Sequence, residues 1–106
     1  MVAEEDVRTF VAALAREFSP RRVILFGSRG RGDFSGDSDV DLLVVMPTDK
    51  SELQQALDIR LRIPCSFPLD ILVKTPREFD RRIALHDSFL TAVLGEGKTL
   101  YESSGP

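Results

Sequence analysis

Apolar residues recur along this chain in two different periods. Val7, Phe10, Val11, Leu14 and Phe18 fall three and four apart, behind Glu4, Glu5 and Asp6, where the positive end of a helix dipole favours carboxylates. This pattern predicts an amphipathic helix over 4–18, stopped by Ser19-Pro20. Val23 to Phe26 is a short, wholly apolar run with the length and β-branching of a buried strand. The segment 27–38, GSRGRGDFSGDS, has no apolar periodicity and reads as loop, whereas DVDLLVVM, Asp39 to Met46, reads as a central strand closed by Pro47. Leu53, Ala56, Leu57 and Leu61 predict a second helix from Asp49 to about Arg62, with Asp49 and Glu52 as a capping pair.

LDILVK, Leu69 to Lys74, predicts a third strand. Thr75-Pro76-Arg77-Glu78 combines a capping hydroxyl, a proline at the first helical position and a glutamate at the third, so a helix should start there. Phe79, Ile83, His86, Phe89, Leu90 and Val93 continue one periodic face to Gly95, with His86 on its inner side. Lys98 to Glu102 predicts a fourth, edge strand, and 103–106 a frayed tail.

Connection lengths constrain how these elements join. The ten residues 29–38 are short for a parallel crossover, which needs about a dozen or more, so the first two strands should be antiparallel. Residues 47–68 contain a helix and can make a crossover, so the second and third strands should be parallel. The expected fold is a two-layer α/β domain of the α+β type. It has a small mixed sheet of three to four strands, with helices packed mainly on one face and the other face free for a site.

Composition narrows the classes of function. With 106 residues, 42% hydrophobic and 29% charged, the chain is sized for one folded domain over 1–106. Fourteen Lys and Arg against seventeen Asp and Glu give a net charge of −3, which disfavours broad binding to nucleic acid or to an anionic membrane. No apolar run approaches the roughly 18 residues of a membrane span. The acidic N-terminus is unlike a signal peptide, and the single Cys65 cannot form an internal disulfide, so the expected location is cytoplasmic.

Candidate chemistry concentrates in the loop and at the starts of two strands. Side chains alternate along a strand, so Asp39 and Asp41 project to one side, roughly 6–7 Å apart. Two carboxylates at the head of an apolar run cost desolvation and repulsion, which a hard cation with oxygen ligands offsets; Mg²⁺ suits this best. Upstream, Gly27 follows a strand and lets backbone approach a phosphate, Ser28 adds a hydroxyl and an N–H, and Arg29 and Arg31 add two guanidinium groups. Antiparallel strands bring Gly27-Ser28 beside Asp39 and Asp41. Asp70 opens the third strand and on a parallel neighbour would lie close to both. Three carboxylates could hold two metals about 4 Å apart, activating a hydroxyl and neutralising a leaving pyrophosphate.

Gly-Ser, ten residues, Asp-Val-Asp and a third aspartate on a later strand resemble the minimal nucleotidyltransferase branch of the DNA polymerase β nucleotidyltransferase superfamily. The likeness extends over most of 20–75 and to the ending KTLYE. It implies Mg²⁺-dependent transfer of AMP from ATP to a hydroxyl, with pyrophosphate leaving. It implies further that small members act as antitoxins to a HEPN-domain toxin, with a tyrosine of the toxin as acceptor. Carried over, Gly27 and Ser28 bind the triphosphate, Asp39 and Asp41 the metals, and Asp70 completes the acidic triad and assists deprotonation. Gly30 stands where the branch commonly has alanine, loosening the turn after Ser28 by roughly 1 kcal/mol. With the chain largely consumed by this core, the acceptor should arrive on a partner, whether the assembly is homo- or hetero-oligomeric. Two other readings are a module that neutralises the partner by occlusion alone and an enzyme acting on a small hydroxylated molecule.

Other signals carry less. Gly27 to Gly32 has P-loop glycine spacing, but Asp33 and Phe34 replace the required lysine and hydroxyl residue. Arg31-Gly32-Asp33 spells an adhesion tripeptide of no meaning in this context. His86 reads as a buried helix residue, and Cys65 has no assigned role.

Overall fold

The computed structural model describes residues 4–27 and 39–103. These contain four helices and four strands in the order α1 (Glu4–Phe18), β1 (Arg22–Phe26), β2 (Val40–Val45), α2 (Glu52–Arg62), β3 (Leu69–Lys74), α3 (Pro76–Ala84), α4 (Ser88–Glu96) and β4 (Lys98–Glu102). The strands form one mixed sheet of order β3-β2-β1-β4. As the connection lengths require, β1 and β2 are antiparallel and β2 and β3 parallel; β4 adds antiparallel to the free side of β1.

Strand alternation divides the core in two. Val23, Leu25, Val40, Leu42, Val44, Leu69, Ile71 and Val73 turn to one face, where α1 covers them with Val7, Phe10, Val11 and Leu14, and α2 with Ala56 and Ile59. Ile24, Leu43 and Val45 turn to the other face and meet Phe79 of α3 and Leu90 and Val93 of α4. The expectation of helices mainly on one face is therefore amended: two helices lie on each side. Among the described residues, no helix of the second-face cluster packs on the start of β2 and β3 at Asp41 and Asp70.

The amendment has a local cause. The helix expected over 75–95 is two helices, because the chain turns at Leu85–Asp87. His86 sits at φ +59°, its N–H donating to the Ile83 carbonyl (3.0 Å), while Asp87 donates its N–H to the Arg82 carbonyl (3.0 Å). These bonds satisfy carbonyls left open at the end of α3. The Asp87 carboxylate then accepts from the Leu90 N–H (3.0 Å) and caps α4. The turn leaves His86 exposed rather than buried on a helix face.

Further details depart from the sequence reading. Ser51, not Asp49, caps α2, its hydroxyl accepting from the Gln54 N–H (3.1 Å). Glu52 instead accepts from Lys74 Nζ (3.2 Å) and the Thr75 N–H (3.1 Å), tying the start of α2 to the end of β3. Thr75 caps α3 as expected, accepting from the Glu78 N–H (3.2 Å), but the Glu78 carboxylate pairs with Arg81 and Arg82 instead of closing the capping box. Another departure is the face that α2 buries: Leu53, Leu57 and Leu61 face solvent at 82%, 55% and 79% exposure, while Ala56 of the expected stripe is buried together with Gln55 and Ile59. At the chain end, Ser103 is tied down by its N–H to the Arg21 carbonyl (2.9 Å).

Candidate functional site

The site is built by alternation and register. With Val40, Leu42 and Val44 in the first core, Asp41 must share the second face with Leu43 and Val45. On β3, burial of Leu69, Ile71 and Val73 sends Asp70 to that same face. The parallel ladder pairs Asp41 with Asp70, and the antiparallel ladder pairs Asp41 with Phe26. Asp70, Asp41 and Phe26 thus form a row across three strands, at the starts of β3 and β2 and the end of β1.

Gly27 follows at the end of that row. Its φ of +74° belongs to the region that favours glycine, and a Cβ placed on it would overlap Asp41 Oδ2 and lie 3.4 Å from Asp41 Cγ. Backbone and carboxylate are therefore packed together with no room for a side chain between them. Asp39 is exposed just ahead of β2, and Asp70 is exposed on the edge strand β3, whereas Asp41 is half-buried.

Electrostatics single out Asp41. Burial holds its carboxyl above the usual carboxylate range; the negative charge of Asp70, a hydrogen bond with the Asp70 side chain and the charge of Asp39 push it the same way. Asp41 and Asp70 are thus a like-charged pair at one level, with Asp39 close enough to repel Asp41. Among the described residues no group of three or more carboxylates, imidazoles or thiols stands as a ready-made metal cage. The donor set is a carboxylate pair, and its chemistry fits a hard divalent cation, which would relieve both the repulsion and the desolvation of Asp41.

Of the residues singled out from sequence, Gly27 packs on Asp41 and Asp41 is in register with Asp70, while Asp39 is exposed just ahead of β2. Ser28, Arg29 and Arg31 lie outside the described residues. One neighbour of the site was not legible in the helical periodicity. A cavity of about 280 Å³, lined by Phe26, Gly27, Phe89, Ala92, Val93 and Glu96, opens beside Gly27, with the Phe26 and Phe89 rings edge to face at 5.5 Å. A helix start at His86-Asp87-Ser88 was the available signal, since Asp and Ser favour caps. Two larger grooves, about 400 Å³ between α1 and β4 and about 310 Å³ between α1 and the 63–67 segment, include none of Gly27, Asp39, Asp41 and Asp70.

Comparison with known proteins agrees with this geometry. Residues 7–101 match the family model described as "Nucleotidyltransferase domain". The chain is 32% identical over 105 residues to "Putative protein adenylyltransferase MJ0604" of Methanocaldococcus jannaschii, covering 95% of this chain and 100% of the relative. It is 49% identical over 55 residues to "Putative protein adenylyltransferase MJ0141" of the same organism, covering 49% and 52%. Among solved structures, "a putative nucleotidyltransferase from Sulfolobus solfataricus" shares the fold with a TM-score of 0.66 at 23% identity, over 92% of this chain and 78% of that one. A toxin-antitoxin structure with AMP-PNP shares it with a TM-score of 0.55 at 18% identity, over 92% and 74%. Among the described residues no helix is long and apolar enough to cross a membrane. The row of Asp70, Asp41 and Gly27 thus sits in a chain that belongs to the nucleotidyltransferase domain family.

Proposed function

We propose that residues 1–106 act as a single minimal nucleotidyltransferase domain. It moves AMP from ATP to a hydroxyl of a protein partner, the tyrosine of a HEPN-domain toxin, and so neutralises it as its antitoxin. The observation that carries this reading is the packing of Gly27 against Asp41 while Asp41 is in register with Asp70. It puts a point where backbone can approach phosphate directly beside paired carboxylates. The match to the nucleotidyltransferase family supports the reaction class, and the name of the 32%-identical relative supports a protein acceptor. The toxin-antitoxin structure supports only the choice of partner, since it shares the fold.

In this reading the Gly27-Ser28 backbone and the Arg29 and Arg31 guanidinium groups hold the triphosphate. Asp39, Asp41 and Asp70 hold the divalent cations. Bound there, two Mg²⁺ ions would supply Lewis-acid stabilisation of the charge on the departing pyrophosphate. Asp70 accepts the proton of the attacking hydroxyl. The acceptor oxygen forms its bond to the α-phosphorus as the bond from that phosphorus to the bridging oxygen breaks, and pyrophosphate leaves with the electron pair. Among the described residues Asp70 is exposed on an edge strand, which supports access for a macromolecular acceptor from that side.

The test is incubation with ATP labelled at the α-phosphate, Mg²⁺ and lysate of the source cell with the partner present, beside Asp39→Asn/Asp41→Asn. Label on one protein band, absent with the double variant, is the expected result. Label that persists with the variant would remove the carboxylates from the reaction. Full neutralisation of the partner by the variant would replace transfer with occlusion.

A further inference from the structure

Strand β3 is an edge strand whose outward backbone groups are met by α2. The Val40 and Met46 N–H groups donate to the Pro68 and Lys74 carbonyls, 3.0 Å each, so the backbone groups of even-numbered residues from 68 to 74 point at β2. Those of Leu69, Ile71, Val73 and Thr75 point outward, where among the described residues no strand pairs. Two side chains of α2 meet this outer row at its two ends. Glu52 accepts from the Thr75 N–H (3.1 Å), and Arg60 donates through Nη1 to the Leu69 carbonyl. We infer that Arg60 is a positioning residue of the proposed metal site, holding the start of β3 so that Asp70 stays level with Asp41; this rests on the transfer reading above.

The need for a clamp at this end is electrostatic. Leu69 is the first residue of β3 and Asp70 the second, and the Asp70 charge repels Asp41 across the ladder. The end of an edge strand opens most readily, because a ladder holds it from one side only, and opening would relieve that repulsion. Hydrogen bonds with β2 resist the movement from the inner side. Arg60 resists it from the outer side, at the peptide unit that joins Leu69 to Asp70. Its guanidinium is a permanently charged donor, which makes the bond to the carbonyl stronger than one from a neutral group. The neighbouring Ile59 is fully buried and fixes the helix from which Arg60 extends. Two carboxylates share a cation only while they stay level, so a group that holds the strand of one of them sets the affinity of the pair.

The experiment titrates Mn²⁺ into the full chain, reading free Mn²⁺ by electron paramagnetic resonance, for wild type, Arg60→Ala, Arg60→Lys and Glu52→Gln, and follows amide exchange of the metal-free proteins by NMR. Arg60→Ala should weaken Mn²⁺ binding about 10- to 100-fold, as for loss of an outer partner of a metal ligand. It should also speed exchange of the Asp70 N–H while leaving that of Val44, further along the ladder, unchanged. Arg60→Lys keeps a charged donor and should recover most of the binding. Glu52→Gln, at the far end of the same strand, should lower the urea midpoint and bind Mn²⁺ as wild type does. Unchanged Mn²⁺ binding in Arg60→Ala would overturn the inference. So would an equal loss in Glu52→Gln, which would make the effect one of general stability, or a loss with Asp70 exchange unaltered, which would take the strand out of the effect. Each of these outcomes leaves the transfer reading standing. A wild-type chain that binds no Mn²⁺ would overturn the metal role of the carboxylates in that reading, and the inference with it.

Discussion

Asp41 and Asp70 face each other at the same level of the parallel β2–β3 ladder, on the same face of the sheet. Two acids side by side, one of them half-buried, are an electrostatic cost to the fold. Burial raises the Asp41 carboxyl first, and Asp70 adds to it, so the folded chain holds that proton more tightly than the unfolded one does. For an acid shifted upward the penalty is absent below the ordinary value of 3.8 and complete above the raised one.

Replacing Asp41 by Asn should therefore leave the metal-free protein at least as stable as wild type at neutral pH. The difference in Tm should vanish as pH falls below about 4. Thermal melts in a chelator across pH check this, and a variant less stable at pH 7 would contradict it. Transfer activity should be lost in the same variant.

Gly27→Ala should do the opposite. It places a methyl group on the Asp41 carboxylate at a φ of +74°. The expected cost is about 1–3 kcal/mol in urea unfolding, with transfer abolished because the carboxylate must move.

His86 tests the turn between α3 and α4. As a non-glycine residue at φ +59°, it occupies the position just past the helix end where glycine is preferred. His86→Gly should stabilise the protein by up to about 1 kcal/mol without changing activity, measured by chemical denaturation.

Glu78 contributes a pH-dependent stabilisation on the surface. Hydrogen bonds from Arg81 and then Arg82 hold its carboxyl down to about 2 from 4.5. A lowered acid stabilises fully above its unfolded value, and that contribution fades as pH falls from 4.5 toward 2. Melting curves of Glu78→Gln should therefore converge on wild type across this window, and high salt should shrink the difference at neutral pH because the pairs are solvent-screened.

Two neighbours on α2 separate its inner and outer faces. Ile59 is fully buried and Leu57 is 55% exposed. Ile59→Ala should cost about 2–5 kcal/mol, whereas Leu57→Gln should stay within about 0.5 kcal/mol. Denaturant titration of both variants distinguishes this from the arrangement in which the leucine stripe faces the sheet.

Local interactions fixed much of this protein in advance. The periodicity of α1, the apolar runs of β1 and β2 and the Thr75-Pro76 start of α3 depend on residues close in sequence, and they formed where the pattern put them. Connection length likewise dictated which strands run parallel, and strand alternation put Asp70 on the face of Asp41 once β2 and β3 were neighbours. Periodicity says which residues share a face but not which face meets the core. On α2 the expected stripe ran Leu53-Ala56-Leu57-Leu61, and packing against the sheet kept only Ala56 of it, burying Ile59 beside it and leaving the leucines in water. The same holds at 75–95, where one apolar face is compatible with a straight helix or with two helices folded over Ile24, Leu43 and Val45. Covering that second face offsets the break in the helix, because Phe79, Leu90 and Val93 bury its apolar surface. Only that folding back brought Phe89 onto Phe26 and put a cavity beside Gly27, a contact between residues too far apart in the chain for any local pattern to register.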